Sequence, residues 1–168
     1  VVDLSNATPP DMRMISLSLV LTLTLTLPAP AQTAEEANAH FQASRWAEAA
    51  AAYETLANAT PENGPFWFRL GTARHNLAQY DAAIAAWEKA LALNFFPAFT
   101  QYNLAAANAR AGRTEAAFEH LAQAASAGYA NLAQFQANDD FASLRAMPRY
   151  QEIEQQVDRN ARPCEYSE

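Results

Sequence analysis

Residues 67–91 have the sequence WFRLGTARHNLAQYDAAIAAWEKAL. Alanine and leucine, which favour helices, supply much of this stretch, and large aromatics recur along it. Ala83 and Trp87 stand four residues apart, so both lie on one face if the chain is helical. The stretch therefore predicts two helices, over 65–77 and 80–93, joined by a tight turn.

The same pattern recurs at a fixed period on both sides of this stretch. Equivalent small residues are Ala49, Ala83 and Ala117, followed four positions later by Tyr53, Trp87 and Leu121. A further set of equivalent small residues is Ala37, Gly71 and Ala105. Another set is Glu36, Leu70 and Leu104, in which Glu36 is the exception at an otherwise apolar position. A fixed period of about 34 residues is typical of units that bury their apolar faces only by stacking on neighbours.

The repeats resemble the tetratricopeptide-repeat (TPR) family over roughly residues 32–129. Trp67, Leu70 and Gly71 match the W-x₂-L-G start of a TPR unit, and Ala83 with Trp87 matches its A-x₃-aromatic second helix. The resemblance implies an all-α solenoid of three helical hairpins. The expected helices are 33–44, 46–59, 65–77, 80–93, 98–111 and 114–127, with turns at Arg45, Ala78-Gln79 and Gly112-Arg113.

Residues 130–158 are predicted to form C-terminal capping helices over the apolar end of the stack. Asp139 or Asp140 is expected to cap a short helix that runs to Arg145, and Pro148 to begin a last helix that ends near Asp158. The D-x-F-x-x-L-R segment before P-R-Y resembles the C-terminal extension of many bacterial TPR proteins, which implies a bacterial source and a structural role. Residues 159–168 are predicted to be a disordered tail.

Residues 12–31 have the layout of a secretory signal peptide. Arg13 precedes the uncharged stretch Ile15–Leu27, and small residues follow it, so we expect cleavage after Ala31 and a periplasmic or secreted product. An uncleaved membrane anchor is the alternative; otherwise no membrane association is expected after cleavage. Residues 1–11 fit no part of a signal and are treated as upstream, disordered sequence.

The composition argues against nucleic-acid and anionic-lipid partners. The net charge is -7, and Lys89 is the only lysine among 11 basic residues that are scattered along the chain, whereas phosphate-binding surfaces need clustered cations. Cys164 is the only cysteine, which excludes an internal disulfide. It is either a free thiol or pairs with a cysteine on another chain or outside this sequence.

The sequence offers no pattern for catalysis, a metal or a cofactor. His40, His75 and His120 fall on different predicted helices without a zinc-binding spacing, and no glycine-rich phosphate loop or G-x-S-x-G motif occurs. We therefore predict a protein that is not an enzyme and needs no cofactor.

The TPR resemblance implies a concave groove lined by the first helix of each hairpin. The residues that it assigns to a peptide-binding groove are Asn38, Phe41, Phe68, Arg69, His75, Phe99, Tyr102, Asn103 and Arg110. Aromatics together with Arg and Asn suit a peptide-binding hot spot, although Phe68 and Phe99 could instead pack between helices. Chaperone-binding TPR domains hold a terminal carboxylate with a clamp of Lys, Asn and Arg residues. In this chain only Asn38 matches a position of that clamp.

These observations predict a non-catalytic scaffold that binds a peptide or protein segment in its concave groove. The alternative hypothesis is a fragment: the N-terminal docking or regulatory part of a larger exported protein, such as an enzyme. Self-assembly of stacks is a third possibility, against which the predicted cap argues.

Overall fold

The computed structural model describes residues 33–163 of the chain. The helices in this part are α1 Ala34–Gln42, α2 Trp46–Ala59, α3 Gly64–Asn76, α4 Tyr80–Ala92, α5 Pro97–Arg110, α6 Thr114–Ser126, α7 Leu132–Ala137, a 3₁₀ helix Asp139–Phe141 and α8 Pro148–Ala161. The described residues contain no strand, and the predicted all-α class is confirmed. The predicted upstream segment 1–11, the signal peptide 12–31 and Cys164 lie outside the described residues.

The helices pack as successive hairpins. Helices α1 to α5 each contact the next helix along the chain, and α8 contacts α6 and α7. This nearest-neighbour pattern is that of a solenoid. The six predicted repeat helices are all present, with ends within two residues of the predictions.

The turns inside the hairpins repeat with the sequence period. Ser44, Ala78 and Gly112 have φ of 54°, 57° and 74°, the left-handed conformation that commonly ends a helix. The next residue's N–H then donates back to a carbonyl of the preceding helix: Arg45 to His40, Gln79 to Arg74 and Arg113 to Asn108, at 2.9, 2.9 and 2.8 Å. These bonds satisfy carbonyls that a helix end would otherwise leave without partners.

Small residues lie where the two helices of each hairpin cross, as predicted. Ala49, Ala83 and Ala117 are completely buried, and so are Tyr53 and Leu121 among the large residues four positions later. The exception to the apolar pattern, Glu36, has a local explanation. Its Oε2 accepts from the N–H of Thr33 at 3.2 Å while Thr33 Oγ1 accepts from the N–H of Glu36 at 3.1 Å. This reciprocal pair is a capping box at the start of α1.

The C-terminal cap differs from its prediction in one element. A helix from Asp139 or Asp140 to Arg145 is wrong: regular structure there is limited to the 3₁₀ helix Asp139–Phe141. Its cap is Asn138, whose Oδ1 accepts from the N–H of Asp140 at 3.0 Å. The Arg145 side chain donates to the Asn138 carbonyl at 2.9 Å. These contacts close 138–145 as a compact loop rather than an α-helix.

The structure defines α7 within the predicted capping region 130–158 and extends the last helix beyond that region. The sequence indicates helix α7, Leu132–Ala137, only as apolar spacing, and α8 continues to Ala161, inside the segment predicted as a tail. Phe135, Phe141, Leu144 and Tyr150 bury their side chains in one core with residues of α5 and α6. No helix within residues 33–163 is both long and apolar enough to cross a bilayer.

Candidate peptide-binding site

The predicted groove residues all lie on the first helices of the hairpins: α1, α3 and α5. The structure separates them into three groups. Phe41, Phe68 and Arg69 line an open pocket. His75, Tyr102 and Arg110 lie against residues of the C-terminal cap, and Asn38, Phe99 and Asn103 belong to neither set.

The open pocket has a volume of about 280 Å³ and is lined mainly by aromatic rings. Its residues, which are together called the open pocket below, are Phe41, Pro65, Phe68, Arg69, Thr72, Phe95 and Phe96. They come from α1, α3 and the connection between α4 and α5. The pocket therefore lies on the side of the first helices, at the junction of two repeats.

Three phenylalanines form a continuous wall of this pocket. The ring centroids of Phe68 and Phe95 are 5.5 Å apart and those of Phe95 and Phe96 are 4.5 Å apart. Both contacts have the edge-to-face geometry that aromatic pairs favour. The side chain of Phe96 is 63% exposed. An exposed aromatic cluster of this kind is a candidate interaction surface.

Phe96 is also held in an unusual backbone conformation. Its φ is 41° and its ψ is 60°, in the left-handed region that a bulky residue rarely adopts. Helix α5 starts directly after it at Pro97, and the Phe96 carbonyl accepts from the N–H of Thr100 at 2.8 Å. The Thr100 hydroxyl donates to the Phe95 carbonyl at 2.7 Å. The helix start thus fixes both residues in place, and strain of this kind concentrates at functional sites.

Arg69 supplies a cation to the open pocket. Its guanidinium lies 5.1 Å from the centroid of the Phe41 ring, a cation–π arrangement. Within residues 33–163, Arg69 forms no ion pair with a carboxylate. Burial raises the pKa of Tyr53, and the nearby Arg69 charge acts in the opposite direction. Arg69 is thus a positive group among aromatic rings without an acidic partner.

The second group of predicted residues meets the chain's own acidic segment. Asp140 Oδ1 lies 3.4 Å from Arg110 Nη1, and its Oδ2 lies 3.2 Å from His75 Nε2, a close contact that lacks hydrogen-bond geometry. The Asp140 side chain is largely buried between them. Residues 138–141, called the 138–141 segment below, therefore cover this part of the first-helix face.

Tyr102 is a core residue rather than an exposed groove residue, which corrects its prediction. It is 1% exposed, and its ring stacks on Tyr129 with centroids 4.4 Å apart and planes 7° apart. Its hydroxyl donates to the Gln134 carbonyl at 3.3 Å and accepts from Asn138 Nδ2 at 2.8 Å. Burial raises the pKa of Tyr102, so the phenol stays protonated as a donor.

The third group has mixed surroundings. Asn38 Oδ1 accepts from the Tyr53 hydroxyl at 2.6 Å, which ties α1 to α2. Phe99 is 43% exposed and contacts Tyr129 edge-on at 5.1 Å. Asn103 is half-buried on α5. None of the three lines the open pocket.

Sequence reasoning missed Phe95, Phe96 and Asp140 as site residues. Phe95 and Phe96 lie between the predicted helices 80–93 and 98–111, where the repeat pattern assigns no groove residue. The position of Asp140 near a helix start suggests a cap instead. Its contact with His75 joins residues far apart in the sequence, which no local pattern encodes.

The described residues hold no group of three or more His, Cys, Asp or Glu side chains that could bind a metal ion. His120 is half-buried, with Nδ1 2.7 Å from Gln101 Oε1, and burial lowers its pKa. Its ring therefore takes the neutral form, with Nδ1–H donating to the amide oxygen. This is a structural bond between α5 and α6.

No protein-family model matches the chain, and no curated protein matches it. Among solved structures, the chain is similar to the Yersinia enterocolitica type III secretion translocator chaperone SycD, in an alternative dimer. The TM-score is 0.53 with 18% sequence identity, over 73% of this chain and 86% of that chain. At this identity the similarity concerns the fold alone, and it supports a TPR-like solenoid of helical hairpins.

Proposed function

We propose that this protein is a non-catalytic scaffold that binds a segment of another protein on the face formed by its first helices. The observation that carries the proposal is the open pocket, in which three half-buried phenylalanines and the exposed Phe96 share one surface with Arg69. The Arg69 guanidinium lies over the Phe41 ring and has no carboxylate partner within residues 33–163. Aromatic and arginine side chains in a concave site are the residues that dominate protein-binding energies. Three residues of the sequence hypothesis, Phe41, Phe68 and Arg69, line this pocket, which supports the proposal.

The size of the open pocket favours a side chain as its occupant. Pockets for whole small molecules are about 300–1,000 Å³, and this one lies just below that range at about 280 Å³. A bulky side chain with its adjoining backbone fits such a volume. The name of SycD describes that protein as a translocator chaperone, and a fold used to hold another protein is consistent with the proposal.

The test is to select peptides from a displayed library for binding to this protein, and then to measure their affinities for matched variants. Peptides selected on the wild type are titrated against Arg69→Gln, in the open pocket, and against Arg159→Gln on α8. Losing one charge-assisted hydrogen bond costs about 1.5–3 kcal/mol, so Arg69→Gln should weaken binding about 10- to 100-fold. Arg159→Gln removes the same charge elsewhere and should leave the affinity unchanged. Equal binding to both variants would place the binding surface outside the open pocket.

The proposal includes export to the periplasm or beyond, on the basis of the signal-like residues 12–31. N-terminal sequencing of protein secreted from a bacterial host should give Gln32 as the first residue. A product that keeps residues 15–27 would instead support the uncleaved membrane anchor.

A further inference from the structure

Two successive repeats present the same pair of aromatic residues. Phe68 and Tyr102 stand one repeat period apart, and so do Phe95 and Tyr129. In each repeat the ring from the first helix contacts the ring that follows the second helix: Phe68 and Phe95 at 5.5 Å, Tyr102 and Tyr129 at 4.4 Å. The period of the fold therefore places an aromatic pair at equivalent positions twice, edge-on in Phe68–Phe95 and stacked in Tyr102–Tyr129.

The two pairs differ in what covers them. Phe141 of the 138–141 segment contacts Tyr102 edge-on, with centroids 5.4 Å apart, and is 0% exposed. The pair Phe68–Phe95 has no such cover among the described residues and faces the open pocket. The covered pair thus shows, within the same chain, what kind of side chain this surface accepts.

The covering residues are an acid followed directly by an aromatic. Phe141 lies on the aromatic pair while Asp140, the residue before it, reaches His75 and Arg110 on the first helices. Adjacent residues therefore contact two kinds of partner: the aromatic ring contacts the ring pair, and the carboxylate contacts the basic side chains.

The open pocket offers a cation in a comparable place. The residue one repeat period before His75 is Phe41. The Arg69 guanidinium lies over that Phe41 ring at 5.1 Å. Arg69 therefore holds its charge beside the residue that is equivalent to His75 one repeat later. Unlike His75, it has no acidic partner within residues 33–163.

We propose that the open pocket binds a protein segment in which an acidic residue directly precedes an aromatic one, the chemistry of Asp140-Phe141. This inference rests on the proposed function and specifies its ligand. The ring inserts between Phe68 and Phe96, and the carboxylate pairs with Arg69. The 138–141 segment of a second copy is an unsuitable source, because its own Phe141 is completely buried.

The probe is a labelled synthetic peptide with the sequence of residues 136–145, QANDDFASLR. It is titrated into the whole chain by fluorescence anisotropy, beside peptides that carry Phe141→Ala or Asp140→Asn. We expect saturable binding that each peptide substitution weakens about tenfold or more. Binding should also weaken as salt is added, since the Arg69 pair is partly exposed.

Protein variants distinguish peptide binding at the open pocket from peptide binding at the covered pair Tyr102–Tyr129. Arg69→Gln and Phe68→Ala should each weaken binding about tenfold, with folding checked by circular dichroism, while Arg110→Gln should not weaken it. If Arg110→Gln abolishes binding and Arg69→Gln does not, the peptide has displaced the 138–141 segment and the inference is overturned. No saturable binding, or equal affinity for all three peptides, overturns it as well.

Failure of this inference is distinguishable from failure of the proposed function. Displayed peptides that depend on Arg69 but lack an acid–aromatic pair would leave the scaffold proposal standing and refute the ligand assignment. Displayed peptides whose affinity does not depend on Arg69 would refute both the scaffold proposal and the ligand assignment.

Discussion

Gly71 shows how a single residue sets the distance between two helices. A Cβ atom added there would lie 2.5, 2.6 and 2.8 Å from Cδ1, Nε1 and Cε2 of Trp87. The Trp87 ring has little freedom to move, because it is buried and its Nε1 donates to the Phe68 carbonyl at 3.0 Å. That bond also links the helix crossing to the backbone of the open pocket.

We expect Gly71→Ala to destabilise the protein, although alanine is the better helix former. The intrinsic gain is about 0.5–1 kcal/mol, whereas overpacking a closed core costs about 1–3 kcal/mol. Urea denaturation should show a net loss on the order of 1 kcal/mol, near the middle of the range that these two terms leave. Adding Trp87→Phe makes room for the methyl group, so the double variant should lose less than the two single losses combined. A Gly71→Ala variant as stable as wild type would contradict this account.

Tyr150 makes stability depend on pH in the alkaline range. Burial raises its pKa to about 12, with the nearby Arg145 acting in the opposite direction. Its hydroxyl donates to the Phe135 carbonyl at 3.0 Å, a bond that needs the protonated phenol. Because the folded pKa is above the unfolded value of 10.0, the contribution is complete below pH 10 and is lost as pH rises towards 12.

This contribution is on the order of 2–3 kcal/mol for Tyr150. Burial raises the pKa of Tyr53, Tyr102 and Tyr129 as well, so their losses add in the same direction. Tyrosinate absorbance and helicity, followed together, should change in one transition above pH 10. Tyr150→Phe should flatten the alkaline fall in stability. Ionisation of these tyrosines while the helices stay intact would show that the phenols are not buried.

At the scale of elements, the 3₁₀ helix Asp139–Phe141 makes more tertiary contacts than its short length suggests. Phe141 contacts Tyr102, Phe135 and Tyr150, with ring centroids 5.4, 5.9 and 6.2 Å away. It therefore joins the third repeat to α7 and α8. Asp140 beside it fixes the same element to α3 and α5 through His75 and Arg110.

Phe141→Ala should cost about 3–5 kcal/mol, the range for deleting a buried phenylalanine. Phe96→Ala is a matched control, because it removes the same atoms from a ring that is 63% exposed. It should change stability by less than about 1 kcal/mol. Thermal melts of the two variants make the comparison. Similar losses would mean that the 3₁₀ helix does not hold the cap in place.

At the scale of the whole molecule, the stack needs a cover at its C-terminal end. The largest buried cluster unites α5 and α6 with Phe135, Phe141, Leu144, Tyr150, Ile153 and Val157 from the cap. Solenoid repeats contact only their neighbours, so the last repeat depends on this cover.

A chain that ends at Gly128 lacks the cap and should expose the apolar faces of α5 and α6. We expect a lower melting temperature, binding of a hydrophobic dye and self-association in light scattering. Helices α1 to α4 should keep much of their helicity, because their contacts lie within the first two repeats and with α5. A truncated chain that stays monomeric with an unchanged melting temperature would show that the cap is dispensable.

The amino-acid sequence determined the repeat architecture of this protein. Ala83 and Trp87 recur as equivalent residues one period before and one period after. These positions encode contacts within a hairpin and between neighbouring hairpins. Such contacts join residues close in sequence, so periodicity is enough to find them. It also assigned Phe68 and Arg69 to the first helix of their hairpin, because positions within a repeat map directly onto the fold.

Only the tertiary structure decided which part of that face is free. Tyr102 and Phe68 hold equivalent positions, yet one is sealed by residues from much further along the chain and the other borders an open pocket. The 138–141 segment reaches His75 through a loop without a repeat pattern, so no spacing rule locates it. Its path depends on burying Phe135, Phe141 and Tyr150 together, a cooperative packing choice that the sequence period does not contain.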